Sequence, residues 1–202
     1  TNASVQQRAY LWTDANFDRI VDAAEILDIG TLGGPVSFAN DVNDFGEVVG
    51  GTDVSDSARH AFVFRDDNSN RIVDVGELLD LGTLGGMTAE ALGISNEFFV
   101  VGTSEAEGGD VLPFLFDDLN NNFQIDSGEM IDLGTFDLGS FSAAHSVNND
   151  RHAVGESNGE AFIWIDGNLI NLEELMFINS GFDLNVAKDI NDQGQIVGSG
   201  ML

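Results

Sequence analysis

The chain repeats itself at a period of about fifty residues, and this confines it to stacked or ring-closed architectures, because one such unit cannot bury its own apolar faces. Ala9-Tyr10-Leu11-Trp12 returns as Ala61-Phe62-Val63-Phe64, as Pro113-Phe114-Leu115-Phe116 and as Ala161-Phe162-Ile163-Trp164, at steps of 52, 52 and 48 residues. A second block, Asp28-Ile29-Gly30-Thr31-Leu32-Gly33-Gly34, matches Asp80-Leu81-Gly82-Thr83-Leu84-Gly85-Gly86. Its third copy, Asp132-Leu133-Gly134-Thr135-Phe136-Asp137, decays at its end, and the fourth keeps only Asn171-Leu172. A third block closes every unit, from Asp41-Val42-Asn43-Asp44-Phe45-Gly46-Glu47-Val48-Val49-Gly50 to Asp189-Ile190-Asn191-Asp192-Gln193-Gly194-Gln195-Ile196-Val197-Gly198. The middle copies, at 93–102 and 146–155, are looser.

Each block reads as a strand or hairpin: short, aromatic or β-branched, and bounded by Gly, Asn and Asp. The Asn-Asp-x-Gly segments are turn sequences, since these residues tolerate left-handed backbone. The glycines of the second block predict tight bends or close backbone approach. About four strands fall in each repeat, and a single helical turn is expected within 171–178, where the fourth repeat departs from the pattern. The expected fold is all-β, a β-propeller-like array of four four-stranded repeats of about 50 residues, each repeat supplying one blade. One domain spans 1–202, with repeats at approximately 1–51, 52–103, 104–156 and 157–202. Thr1 aligns with Thr52 and Leu202 follows Ile196-Val197-Gly198, so whole repeats are expected. An array that does not close leaves edge strands, which pair readily with another chain.

Composition excludes several partners. With 35 acidic and 7 basic residues the net charge is −28, which repels phosphate backbones and anionic membrane surfaces. There is no cysteine, hence no disulfide framework and no thiolate zinc site. No apolar run reaches the roughly 18 residues of a spanning helix. The chain opens without a charged and apolar leader, so a secreted form is expected to have lost its signal peptide. Asn2-Ala3-Ser4 is a glycosylation acceptor pattern.

The blocks resemble the HAF family of extracellular repeats, named for the His-Ala-Phe that stands here at His60-Ala61-Phe62. The family pairs that motif with a Leu-Gly-Thr-Leu-Gly-Gly block and an Ile-Asn-Asp-x-Gly-x-Val-Val-Gly block, and all three cover most of this chain. The resemblance implies a secreted or surface-attached protein with a propeller-like fold, and no catalytic residues. This chain departs from the pattern in having the His once, its equivalents being Arg8, Leu112 and Glu160, and in carrying an acidic insertion in its first three repeats.

That insertion is twelve residues long. Asp14, Asn16, Asp18, Asp22 and Glu25 take positions 1, 3, 5, 9 and 12; Asp66, Asn68, Asn70, Asp74 and Glu77 follow in the second repeat; Asp118, Asn120, Asn122, Asp126 and Glu129 in the third. This is the ligand spacing of an EF-hand calcium loop. Short side chains at alternate positions let a curled loop aim oxygens inward, and a long Glu returns with two more. Position 7 (Ile20, Ile72, Gln124) offers its backbone carbonyl, and apolar position 8 (Val21, Val73, Ile125) is expected to anchor the loop in the core. Position 6, ordinarily Gly, is Arg19, Arg71 and Phe123, which predicts strain and a somewhat altered loop or weaker binding. Three calcium ions are expected, loop 1 binding tightest with four carboxylates against three. Magnesium should fit poorly. The fourth repeat has a plain hairpin turn, Ile165-Asp166-Gly167-Asn168, instead.

His60, His145 and His152 fall in no zinc spacing and read as strand or surface residues. There is no Gly-x-Ser-x-Gly elbow and no phosphate loop opening a helix. Trp12, Phe64, Phe116 and Trp164 recur at one repeat position, which argues for packing between blades. The expected function is a non-enzymatic, calcium-stabilised extracellular structural protein, a self-assembling subunit of a surface filament or matrix joined head to tail through edge strands. The alternative is a closed monomeric four-bladed propeller binding a glycan or surface protein, and a polysaccharide-acting enzyme is the weakest reading.

Overall fold

A computed structural model describes residues 6–55, 58–137, 141–176 and 181–202. The Asn2 acceptor triplet and the end of the expected helical turn, at 177–178, lie outside the described residues.

The protein is all-β, with strands arranged in several sheets. The first ribbon pairs β1 (Ala9–Trp12) with β2 (Ile26–Gly30). A four-stranded antiparallel meander follows: β3 (Ser37–Val42), β4 (Val48–Ser55), β5 (Ala58–Phe64) and β6 (Leu78–Gly82). The second meander runs through β7 (Gly85–Ile94), β8 (Val100–Ala106), β9 (Val111–Phe116) and β10 (Met130–Asp132). A single parallel pairing, Arg59 with Thr88, joins it to the first. The third comprises β11 (Ser142–Val147), β12 (Ala153–Ser157), β13 (Glu160–Ile165) and β14 (Asn168–Asn171). The last ribbon pairs β15 (Asp183–Ile190) with β16 (Ile196–Met201). A 3-10 turn at Leu172–Leu175, capped by Asn171, occupies the place where a helical turn was expected.

The expected ring is not seen. Among the described residues β1 pairs only with β2, and β16 only with β15. Nor does one sequence repeat make one sheet. Each meander takes its first two strands from the end of one repeat and its last two from the start of the next. The reason is local: Ser55 and Ala58 stand opposite each other across a two-residue connection, so the boundary at 51/52 cuts through β4.

The core lies between the sheets. Strand side chains alternate in direction, so successive residues face opposite neighbours. Phe62, Phe64 and Val48 turn back onto Ala9 and Ile29 of the first ribbon, while Ala61, Val63 and Val49 turn forward onto Phe114, Phe116 and Val100. Val101 and Leu115 meet Phe162, Trp164 and Ala153. Val154, Ala161 and Ile163 meet Ala187 and Ile190. The recurring aromatics Phe64, Phe116 and Trp164 are buried between sheets as expected; Trp12, at the open end, is partly exposed.

Each meander's first strand bulges, between Ala39 and Asp41, Ala91 and Gly93, and Ala144 and Ser146; the last ribbon does the same between Ala187 and Asp189. A glycine faces every bulge. A Cβ at Gly102 would run into the Glu90 carbonyl oxygen and lie 2.8 Å from the Phe114 ring; Gly50, Gly155 and Gly198 are crowded in the same way by the carbonyls of Phe38, Ala143 and Val186. Gly102→Ala therefore overpacks backbone against backbone, at or above the top of the usual 1–3 kcal/mol or so. The expected result is a melting temperature lower by several degrees, read by calorimetry. An unshifted transition would show that the bulge can move aside.

Candidate metal sites

The three twelve-residue segments close off the ends of paired strands. At the base of each, the residue before the loop donates its N–H to the carbonyl of position 12: Thr13 to Glu25 at 3.1 Å, Arg65 to Glu77 at 2.9 Å, Asp117 to Glu129 at 3.0 Å. The loop then curls around its own carboxylates. Position 1 accepts from the N–H groups of positions 5 and 6, as Asp66 Oδ1 does from Asn70 (3.1 Å) and Oδ2 from Arg71 (2.9 Å). Asp14 and Asp118 do the same. Position 5 in turn accepts from position 7: Asp18 from Ile20, Asn70 from Ile72, Asn122 from Gln124.

Such a curl needs left-handed backbone at position 6. Arg19, Arg71 and Phe123 adopt it, with φ of 61°, 59° and 54°, and position 4 does likewise in Phe17, Ser69 and Asn121. The loop curls in this way although no glycine stands at position 6, and the strain of a Cβ there is of order 1 kcal/mol per residue. Two of these residues have packing uses. Arg71 reaches across to the preceding loop and donates to the Glu25 carbonyl at 2.7 Å. Phe123 enters the core beside Phe98 and Phe116, with the Arg65 guanidinium 3.9 Å above its ring. Neither use was legible from a motif in which position 6 is ordinarily glycine.

In loops 2 and 3 positions 3, 5 and 9 meet. Asn68 and Asn70 donate to Asp74 Oδ2 at 2.9 and 2.8 Å; Asn120 and Asn122 donate to Asp126 Oδ2 at 2.7 and 2.8 Å. These amide donors, Asn68 and Asn120 foremost, hold the Asp74 and Asp126 carboxyls below their ordinary range. In loop 1 position 5 is Asp18, a carboxylate without an N–H, and no side chain donates to the Asp22 carboxylate among the described residues.

The glutamates are the informative members. Glu25, Glu77 and Glu129 are 5%, 4% and 1% exposed, and none forms an ion pair among the described residues. Glu25 and Glu77 each accept from two backbone N–H groups, at positions 2 and 9. Glu129 accepts only from Asp126, and its Oε1 is buried with no hydrogen-bond partner. A buried carboxylate without a cation is costly, so this donor set fits an absent hard cation. The donors are all oxygens, from Asp, Glu, Asn and backbone, as calcium prefers. Among the described residues no three His, Cys, Asp or Glu side chains gather into a metal cluster by themselves. This includes loop 1, where Asp14, Asp18, Asp22 and Glu25 were expected to converge.

One anchoring expectation needs correction. Val73 packs onto the core beside Phe62 and Phe64, but Val21 is exposed and Ile125 is partly so. Val21 belongs to the first ribbon, which has no sheet on its outer side to receive it.

The turns of the third block form a second constellation. Asp44 N–H donates to Asn96 Oδ1 (3.0 Å), Asn96 N–H to Asn149 Oδ1 (2.9 Å), and Asn149 N–H to Asp192 Oδ1 (3.0 Å). This ladder links all four turns along the array. Its signal in the sequence is the Asp or Asn at one place in every copy of the block. The histidines stay on strands or turns: His60 Nδ1 lies 2.8 Å from Asp80, and His145 Nε2 lies 3.1 Å from Glu156, with burial pulling the His145 pKa down. Among the described residues no helix is long and apolar enough to cross a membrane.

Comparison with family models, with curated proteins and with solved structures gave no match. The HAF resemblance therefore rests on the motifs themselves.

Proposed function

We propose that this is a non-enzymatic, calcium-stabilised structural protein that works outside the cell as a subunit of a surface filament or matrix. Its sheets form a propeller-like array with copies joined head to tail through edge strands. The observation that carries this reading is a pair of unpaired edges: among the described residues β1 pairs only with β2 and β16 only with β15, while the strands between them form four-stranded meanders, the first two joined into one eight-stranded sheet. Open edges of this kind invite a partner strand.

Calcium supplies the cation that the acidic loops need: held by Asp14, Asn16, Asp18, Asp22 and Glu25 with the Ile20 carbonyl, and by the matching sets with Ile72 and Gln124, it would neutralise carboxylates that otherwise repel one another. Extracellular modules hold calcium at about 10⁻⁴–10⁻³ M, so loops of this class fill where the ion is millimolar. That supports the extracellular setting. The repeated carboxylates thus have a structural use, which leaves the enzyme reading without a constellation of its own.

Light scattering and electron microscopy of the purified protein, in millimolar calcium and in chelator, test the proposal. Fibres of regular width with calcium are the expected result. A uniform 21.6 kDa particle under both conditions would overturn it and favour a ring closed within one chain.

A further inference from the structure

We propose that copies join by completing one split four-stranded sheet between them, with β16 of one chain pairing antiparallel with β1 of the next in a defined register. This rests on the assembly reading above and names its contact.

The pattern is set inside the chain. The second and third strands of each meander pair in one register: Val48 opposite Phe64, Val49 opposite Val63, Gly50 opposite Phe62. The next meander repeats it with Val100 and Phe116, Val101 and Leu115, Gly102 and Phe114. The third has Ala153 and Trp164, Val154 and Ile163, Gly155 and Phe162. The last ribbon holds only the first two strands of this scheme, ending on Ile196-Val197-Gly198, and the first ribbon holds only the last two, beginning on Tyr10-Leu11-Trp12. The two halves make one sheet, with Ile196 opposite Trp12, Val197 opposite Leu11 and Gly198 opposite Tyr10.

Burial marks the same positions. Val49, Val101 and Val154 are fully buried, but Val197 is 62% exposed. Phe62, Phe114 and Phe162 are fully buried, but Tyr10 is 63% exposed; Trp12, at the place of Phe64, is 38% exposed. An apolar groove lined by Ala161, Leu184, Ala187 and Ile196 lies between β13 and the last ribbon. In the interior the corresponding space is filled by aromatics such as Phe162 and Trp164. Tyr10 and Trp12 of a second copy have the size and direction to fill it. The occupant is another copy of this chain, because its first ribbon carries the two strands that the last ribbon's scheme lacks, and among the described residues β1 pairs only with β2. Strand addition supplies main-chain hydrogen bonds, and the alternating side chains set the register. The contact is heterologous, so it propagates. With a charge of −28 per copy, it requires salt or calcium to screen the repulsion.

The chain has no cysteine, so engineered pairs report cleanly. Leu11→Cys and Val197→Cys sit directly opposite in the proposed pairing, within disulfide reach. Single variants L11C and V197C, mixed in millimolar calcium under mild oxidant, should give a species of twice 21.6 kDa, while either alone stays unlinked. The double variant should give a ladder of multiples. L11C mixed with I196C, one residue out of register and on the other face, should link at least tenfold less. Melting of each reduced variant checks that it folds; W12C with I196C is the replacement pair if L11C does not. A link within single copies of the double variant, with none between singles, would overturn the proposal in favour of a closed ring. Fibres without the link would place the contact elsewhere, leaving the assembly reading intact. Neither fibres nor links would overturn both.

Discussion

Chelation should lower the melting temperature of this protein by on the order of 10–30 °C, and calcium should restore it. A ligand that binds only the folded form adds RT ln(1 + [L]/Kd), about 1.4 kcal/mol at tenfold and about 2.7 kcal/mol at a hundredfold excess over Kd. Ten millimolar calcium spans that range for Kd values of about 10⁻³ to 10⁻⁴ M. Three loops then contribute roughly 4–8 kcal/mol, and each kcal/mol is worth about 2–4 °C in a domain of this size. Magnesium, held to strict octahedral geometry, should recover little. Glu77→Gln separates the sites: Glu77 is buried and accepts from Asp67 and Asp74 N–H, and its loss should remove one ion from a calorimetric titration while leaving two. A melting curve indifferent to chelator would end the calcium reading.

The second large effect sets equivalent aromatics against each other. Phe116→Ala empties a fully buried site among Phe98, Phe123, Val100 and Ala91 and should cost about 3–5 kcal/mol. Trp12→Ala removes a larger side chain from the same repeat position, but Trp12 is partly exposed at an open end. It should cost the dilute monomer less than half as much. Its cost should appear in assembly instead: a central aromatic is worth about 2 kcal/mol or more at an interface, which raises the concentration needed for fibres by roughly thirtyfold. Urea denaturation of dilute protein and the critical concentration for scattering read the two quantities. If Trp12→Ala unfolds the dilute chain as severely as Phe116→Ala, Trp12 is already buried there and the ends have met within one chain.

Much of the local structure was legible from residue order. The short aromatic and β-branched run Phe62-Val63-Phe64 announces a strand, and it is one, buried on both faces. Ile165-Asp166-Gly167-Asn168 announces a two-residue turn, and Asp166 and Gly167 take φ of 51° and 85°. The first and second glycines of the second block bend as expected: Gly30 and Gly33 have φ of 82° and 115°. The loop positions were legible because their oxygens keep one spacing three times over.

Less was legible where two segments must meet. The repeat boundary gave no sign that β4 and β5 belong to one sheet, since hydrogen-bond partners are chosen by the twist and spacing of whole strands. The uses of Arg71 and Phe123 depend on what the neighbouring loop and sheet present to them, as does the packing of Val73 where Val21 and Ile125 are exposed.

Taken alone, the order of residues determined the strands, the turns, the repeating period and the placing of oxygens within each loop. These are set by side-chain periodicity, backbone freedom and local spacing, all of which act over a dozen residues or fewer. Only the tertiary structure decided which strands share a sheet and which copies of one motif are left uncovered. Sheets form between consecutive strands, as in the pairing of Val48 with Phe64, whereas burial depends on contacts between residues about fifty positions apart, so that similar local segments differ in burial according to whether a neighbouring sheet stands beside them.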